Sequence, residues 1–385
     1  MKNAILFLAF GMLFLSASSQ SLNGTYSIPG DYPTLNAAAT ALAANGVSGP
    51  VIFNVAAGYT ETAPASGIVF NPIAGVSSTN TIVFHKASGG ADPLVTAYSP
   101  QPASSLLDGI IKLVGADYLT FDHIDVSENA SNNTVSTMTE FGYALLYASP
   151  TDGAQYNRIQ NCTITLNRTN PNSFGIYSNV RHSATDAGTV AENSSFSGSN
   201  SYNGVYGNTI SNVSVPISFV GNASTGSLLD AGNDVGGTTA GTGNSLSNWG
   251  GLPSGFAGIA ALSCGLCLSN QLNANASYNT INSGNNGNTN LMYGIYLTNT
   301  LNPASAFTNM VCNNTITVIG SQTTLNMAGI GIGAGSSTME TLRISGNLVQ
   351  NCSMLSATSG VFNGIVIQGN ILNTSINNNV FSNNT

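Results

Sequence analysis

Apolar residues in this chain alternate in short runs and do not recur every three or four positions. In Gly294-Ile295-Tyr296-Leu297, Gly329-Ile330-Gly331-Ile332 and Gly364-Ile365-Val366-Ile367 the first and third residues after the glycine share one face, so that face is expected to line an interior. A second phrase runs apolar, two spacers, asparagine, spacer, apolar. It occurs in Val205 to Ile210 around Asn208, in Val311 to Ile316 around Asn314, in Ile344 to Val349 around Asn347 and in Ile376 to Phe381 around Asn379. Looser copies put Asn244 and Asn279 in the same slot, which gives steps of 36, 35, 35, 33 and 32 residues.

The two phrases keep step. Gly258-Ile259, Gly294-Ile295, Gly329-Ile330 and Gly364-Ile365 follow successive Asn slots by 14 to 17 residues. Such a period, with strand alternation and no helical repeat, predicts a β-solenoid whose strands pair with the coils above and below. An Asn at a fixed turn position tolerates the left-handed conformation, and its stacked amides can hydrogen-bond between coils. Between Asn208 and Gly258 the pattern blurs, with Pro216 to Val220 as a strand and Gly221 to Gly243 expected as a long loop.

One stretch reads as a helix, Asp31 to Leu42. Asp31 is positioned to cap it, Pro33 suits its first turn, Leu35, Ala38, Ala39 and Leu42 fall on one face, and Asn45-Gly46 stops it. A lone amphipathic helix ahead of a solenoid is expected to cover the apolar cross-section of the first coil. The expected organisation is therefore a leader at 1–19, an N-terminal segment with the capping helix at 20–50, and the solenoid at 51–385. The repeat runs into Phe381-Ser382-Asn383-Asn384-Thr385, so the chain is expected to be a fragment or to be covered at that end by another molecule, with self-association of the last coil one outcome.

Composition narrows the function classes. Only 6% of residues are charged, the net charge is −8 and Lys and Arg together number 7, too few for the basic stripe that a phosphate backbone needs. Met1 to Ser19 carries Lys2, an apolar run from Ala4 to Leu15 and the small residues Ala17-Ser18-Ser19, the pattern of a secretory leader too short to span a membrane. No later apolar run is long enough to span either, so the expected location is extracellular or on the cell surface. Five Cys leave at least one unpaired. Cys264 and Cys267, three apart on a strand, are expected to face opposite ways and to serve as small buried apolar residues, and Cys162 to replace a ladder member.

Three stretches carry a resemblance: Gly30-Asp31-Tyr32-Pro33-Thr34-Leu35 before the helix, the strand end Gly58-Tyr59-Thr60-Glu61, and Asp117 to Val126, which reads DYLTFDHIDV. Together they resemble the opening of the pectin-lyase-like right-handed parallel β-helix superfamily, above all its version in secreted Bacteroidetes proteins exported by type IX secretion, which usually end in a sorting domain. The resemblance implies an all-β, right-handed parallel β-helix with an N-terminal capping helix, and it specifies fold more than activity. The element ending in Glu61 is similar to the first motif of pectin methylesterases. The later esterase motifs and the Gly-His-Gly and Arg-Ile-Lys of polygalacturonase-like hydrolases are absent, which makes Glu61 a strand-end residue.

The remaining candidate chemistry is sparse. Arg181, His182 and Asp186 follow the strand Gly175-Ile176-Tyr177 and could supply a base and an acid, with Arg158 and Arg168 as clamps for an acidic substrate. Asp117, Asp122, Asp125 and Glu128 form the densest acidic cluster, and Asp122 and Asp125 are the candidates for Ca2+, with Asp122 read into an Asn slot. From Asn193 onward the formal charges are Asp230, Asp234, Glu340 and Arg343, too few for general acid-base chemistry. That half offers Tyr296, and the earlier coil Tyr177, in the outward slot after Gly-Ile, where aromatic faces beside amides suit sugar rings. The leading expectation is a domain for carbohydrate binding, adhesion or structural display toward a polysaccharide or cell-surface glycan. The alternative is a polysaccharide lyase or another carbohydrate-active enzyme, which requires Arg181, His182, Asp122 and Asp125 to converge on one groove.

Overall fold

The computed structural model describes residues 20–102, 107–185, 192–253, 262–285, 287–333 and 337–385. Its strands form three long sheets of 11, 10 and 9 strands, here sheets A, B and C, and every pairing within them is parallel. The chain visits them in the order A, B, C once per coil, as in Thr209–Val213 of sheet B, Val215–Val220 of sheet C and Asp234–Val235 of sheet A. The architecture is a right-handed parallel β-helix. Side chains alternate at each strand, so one face of every sheet fills a continuous core, where Phe53, Phe84 and Phe121 stack with centroids 4.4 and 5.4 Å apart.

Helix α1 (Leu35–Asn45) buries Leu35, Ala38, Ala39 and Leu42, the expected face. Its caps differ from expectation. Thr34 accepts the Ala37 N–H at 3.0 Å, while Asp31 accepts from the N–H and hydroxyl of Ser27 and closes the preceding turn. Glu61 accepts the N–H groups of Leu35 and Asn36 at 2.8 and 3.2 Å, so this strand-end carboxylate lies on the positive end of the helix.

The Asn slot forms a ladder at the corner between sheets A and B. Asn208 donates its backbone N–H and its amide to Asn244 Oδ1, both at 3.0 Å, and the same pair of bonds links Asn244 to Asn279, Asn279 to Asn314, Asn314 to Asn347 and Asn347 to Asn379. Cys162 holds the rung before Asn208, donating its N–H to Asn208 Oδ1. The rungs themselves are not left-handed. The residue ahead carries the positive φ at His123, Asn161, Gly207, Tyr278, Asn313, Gly346 and Asn378, and Gly243 ahead of Asn244 is the exception with φ −66°. Asp122 is not a rung either. It pairs with Gln160 on the outer face of sheet A, and the phrase belongs two residues later, to Phe121, Ile124 and Val126. A two-residue slip preserves strand alternation, so the pattern alone could not separate the two readings.

The stretch expected as a long loop contains the sheet A strand of a further coil, Asp234–Val235, beside Gly204–Val205. Gly258-Ile259 lies outside the described residues. The place of that phrase in sheet C is held by Gly265-Leu266, since Leu266 pairs with Ile217 on one side and Ile295 on the other. Among the described residues no helix is long and apolar enough to cross a membrane.

Candidate functional site

The glycine of the second phrase reshapes sheet C. Pairing runs Phe141 to Phe174 and Tyr143 to Ile176 and passes over Gly142 and Gly175. An added Cβ on Gly142 would stand 2.7 Å from Ile164 Cγ2 in the core and 2.6 Å from Gly175 O in the next coil. Two successive residues therefore turn inward, a bulge-like break in the alternation that neighbouring coils share without a shift of register. The bulge carries residues three apart to the same outer face. Phe174 and Tyr177 meet with centroids 5.0 Å apart, Tyr293 and Tyr296 meet at 4.9 Å, and Cys264 and Cys267 stand with Cα atoms 5.9 Å apart as a disulfide. This corrects the expectation that the two cysteines face opposite ways, which holds only for a strand without a bulge.

Two adjacent columns thus cover the outside of sheet C. One runs through Phe141, Phe174 and Val215, then Cys264, Tyr293, Ala328 and Asn363. The other runs through Lys112, Ala144, Tyr177 and Ser218, then Cys267, Tyr296, Gly331 and Val366. Tyr177 points outward as expected but is fully buried, its hydroxyl accepting from the Asn179 amide at 2.9 Å and lying 3.1 Å from His182 Nδ1. It offers no surface to a sugar. Tyr296 is half-buried beside Tyr293.

Toward the C-terminal coils a groove of about 280 Å³ opens over sheet C. Its lining includes Tyr293, Leu325, Asn326, Asn363, Val366 and Gln368. Tyr293 lies against the backbone of Gly331, where a Cβ would occupy the space of its ring, so the small residue of the next coil lets the ring lie down on the sheet. None of the lining residues is charged.

The other predicted residues do not meet there. Arg181 forms an ion pair with Glu192, and His182 is buried between Phe141 and Tyr177. Burial raises the Glu192 carboxyl, and the hydrogen bonds from Ser224 and Arg181 outweigh it and hold it low. Asp186 lies outside the described residues. Arg158 is on the outer face of sheet A over the Tyr206 ring at 5.6 Å, and Arg168 is in the connection from sheet B to sheet C. Asp122 and Asp125 flank the corner between sheets A and B, whereas Arg181 and His182 follow a sheet C strand. The Asp122 carboxylate is engaged by His123 at 2.7 Å and Asn161 at 2.8 Å, and Asp125 accepts the Thr163 N–H at 2.6 Å. Among the described residues no three His, Cys, Asp or Glu side chains are placed to hold a metal ion.

Two features escaped the sequence reading. Tyr118, Tyr156 and Tyr202 stack at 4.7 and 4.8 Å, one per coil, at positions with φ of 57°, 58° and 60°. Unequal loop lengths hide this spacing. Asp108, Lys112 and Glu140 form a buried ionisable group at the head of sheet C. Its signal was Lys112 itself, a cation inside the apolar run Ile110-Ile111-Lys112-Leu113.

No family model matches the chain, and no curated protein matches it. Among solved structures it is similar to the A-module of a mannuronan C-5 epimerase from Azotobacter vinelandii, at 12% identity over 90% of this chain and 95% of that one, with a TM-score of 0.33. An alginate lyase from Paenibacillus sp. is 14% identical over 86% of this chain and 97% of its own, with a TM-score of 0.30. The catalytic domain of a GH87 α-1,3-glucanase is 10% identical over 95% of this chain and 68% of its own, also at 0.30. At these values the likeness speaks to neither substrate nor residues.

Proposed function

We propose that this β-helix is a carbohydrate-recognition domain that binds an uncharged glycan segment in the groove on the outer face of sheet C. The observation that carries the reading is the groove's lining: apolar Leu325 and Val366 and the amides of Asn326, Asn363 and Gln368, over a floor that the buried ring of Tyr293 makes against Gly331, without one charged group. Aliphatic surface matches the C–H faces of a sugar, amides match its hydroxyls, and the missing acid and base leave recognition without turnover. A lyase built on Arg181, His182, Asp122 and Asp125 gains no support, because those residues stand at different corners.

The reading includes display outside the cell, as the leader-like Met1 to Ser19 and the resemblance to secreted Bacteroidetes β-helix proteins of the type IX route suggest. It also includes association through the last coil, where the core positions Ile376 and Phe381 are each 49% exposed. Light scattering on the purified chain checks that part, and a monomer at every concentration would remove it.

Affinity electrophoresis against neutral glucans and mannans and against alginate and pectate tests the main reading. Retardation by a neutral glycan, indifferent to salt and weakened at least tenfold by Leu325→Ala combined with Asn326→Ala, is expected. Binding confined to acidic polymers and lost in salt would overturn it, as would binding untouched by the Leu325 and Asn326 substitutions.

A further inference from the structure

Sheet B carries hydroxyls in ranks on its outer face. Its strands at Thr163, Thr209, Ser245, Thr280 and Thr315 each turn the next residue, Ile164, Ile210, Leu246, Ile281 or Ile316, into the core. The residues on either side of it therefore point outward. Thr163, Thr209, Ser245, Thr280 and Thr315 pair in unbroken register as one rank, and Thr165, Ser211, Ser247, Asn282 and Thr317 pair as a second. The first rank is exposed up to its half-buried last member, Thr315, and the second is half-buried apart from exposed Asn282. Within the second rank the Thr165 and Ser211 hydroxyls lie 3.3 Å apart and Thr317 donates to Gln350 O at 2.9 Å, so the first rank leads any contact with the outside. Asp125 beside Thr163 and Leu348 beside Thr315 bound this uncharged field.

Strand propensity does not account for the pattern. It favours Val and Ile as much as Thr and does not favour Ser, yet Ser211, Ser245 and Ser247 stand in the ranks and no Val or Ile does. Nor does the solenoid impose repetition on its outer faces. The same coils show Arg158, Gly204, Asp234, Asn275 and Met310 in one outward column of sheet A.

We propose that this face of sheet B binds ice. Neighbouring strands set the members of a rank about 4.8 Å apart, and residues two apart on a strand set the ranks about 6.6 Å apart. The first spacing is close to the oxygen repeat along the a axis of hexagonal ice, and rotation of the side chains brings the second near the repeat along its c axis. Hydroxyls held at these intervals order bridging waters on the lattice, and a paired sheet fixes the hydroxyls before the ice front arrives. The Thr methyls between them add apolar surface that binds no water out of place. A crystalline glycan is matched less well, since neither rank carries an aromatic ring for its C–H faces. The groove on sheet C is a different face, so the two readings stand or fall separately.

Ice-affinity partition and recrystallisation inhibition with the purified full chain test this. The chain is expected to enter a slowly growing ice front that excludes a control protein, and to keep ice grains small on annealing. Thr209→Tyr combined with Thr280→Tyr is expected to weaken both effects at least tenfold. Ser245→Lys, which places a charge in the field at an exposed site, should do the same with the melting midpoint unchanged. Thr120→Tyr adds the same bulk as the first variant to the outer face of sheet A and should leave both effects intact. A wild-type chain excluded from ice would overturn the proposal, whatever the variants do. So would ice binding that survives Ser245→Lys and the double substitution, or that Thr120→Tyr abolishes equally. Capture by crystalline chitin or cellulose through these same residues, in a chain that ice rejects, would overturn it in favour of a glycan surface.

Discussion

Cys264 and Cys267 face the same way from one strand although only Gly265 and Leu266 separate them, their Cα atoms 5.9 Å apart. The bulge at Gly265 makes this pairing, and it makes the Tyr293 and Tyr296 contact one coil on in the same columns. A non-reducing peptide map should therefore recover Cys264 linked to Cys267. Reduction should cost about 2 kcal/mol of stability, the loop-entropy scale for so short a ring. Cys162, Cys312 and Cys352 are buried, and burial pushes the thiols of Cys162 and Cys352 up to about 12 and about 11. Thiol alkylation should reach these three only after unfolding; labelling of the native chain would count against the burial described here.

The glycine column predicts a contrast between two Gly→Ala substitutions. At Gly294 a Cβ would meet Gly329 O at 2.6 Å and the Ile316 side chain from the opposite sheet, with backbone unable to yield on one side. At Gly241 nothing lies within 4 Å. Gly294→Ala should destabilise by about 2–3 kcal/mol as an overpacked core site, and Gly241→Ala should stay within about 0.5 kcal/mol. Denaturant midpoints of the two variants decide it, and equal midpoints would mean that the coils can spread at no cost.

How much of this was legible depended on which residues repeat. The rungs from Asn208 to Asn379 could be read because each must offer the same amide to the next, and sequence spacing equals the hydrogen-bond spacing. Leu35, Ala38, Ala39 and Leu42 could be read because a helix face has a fixed period. Asp122 was placed two residues out because a period of two is blind to such a slip. The meeting of Cys264 with Cys267 required knowing that Gly265 is a bulge and not an ordinary strand residue. The groove was not legible: Tyr296 was found by its slot but does not line it, and Tyr293 precedes the glycine and had no outward assignment until the bulge turned it out. The Asp108, Lys112 and Glu140 cluster joins residues 32 apart whose types do not repeat in any other coil.

Removing a rung should cost more inside the ladder than at its last described member. Asn279 accepts from the Asn244 N–H and amide and donates to Val235 O and Asn314 Oδ1, all buried. Asn279→Ala leaves these groups without partners, for a loss of about 3 kcal/mol at about 1–3 kcal/mol per orphaned group. Asn379 also serves Asn347 and Ile344, but at an open coil where water can replace it. Asn379→Ala should cost about 1 kcal/mol or less. Thermal unfolding of both variants checks the order, and a reversed order would show that the ladder does not carry the stability assigned to it.

Stability should fall as pH rises through the neutral range. Asp230 is fully buried, accepts the Asn200 N–H at 3.0 Å and the Gln271 amide at 3.4 Å, and occupies a rung of a second ladder at the corner between sheets C and A. Burial holds its carboxyl well above the ordinary aspartate range, and burial likewise raises Glu340 and, with Asp108, Glu140. For such groups the folded chain binds the proton more tightly than the unfolded chain. Their stabilisation is complete below the unfolded value near 4 and is lost as pH climbs through the folded value, which for Glu140 is about 9. Asp122 and Glu192 act oppositely, since hydrogen bonds hold both low, but their contribution is lost only as pH falls below the ordinary carboxylate range. Lys112, which burial lowers, gains stability as pH rises and offsets one such group, but Asp230, Glu340 and Glu140 outnumber it, so the guanidinium midpoint should decline from pH 5 to pH 9. Asp230→Asn supplies the uncharged isostere that the neighbouring rung Asn200 already uses, and it removes about 1.4 kcal/mol of the alkaline loss for every unit by which the Asp230 pKa is raised. A variant whose midpoint falls as steeply as the wild type, with no gain at pH 8, would show that Asp230 is not the buried acid described here.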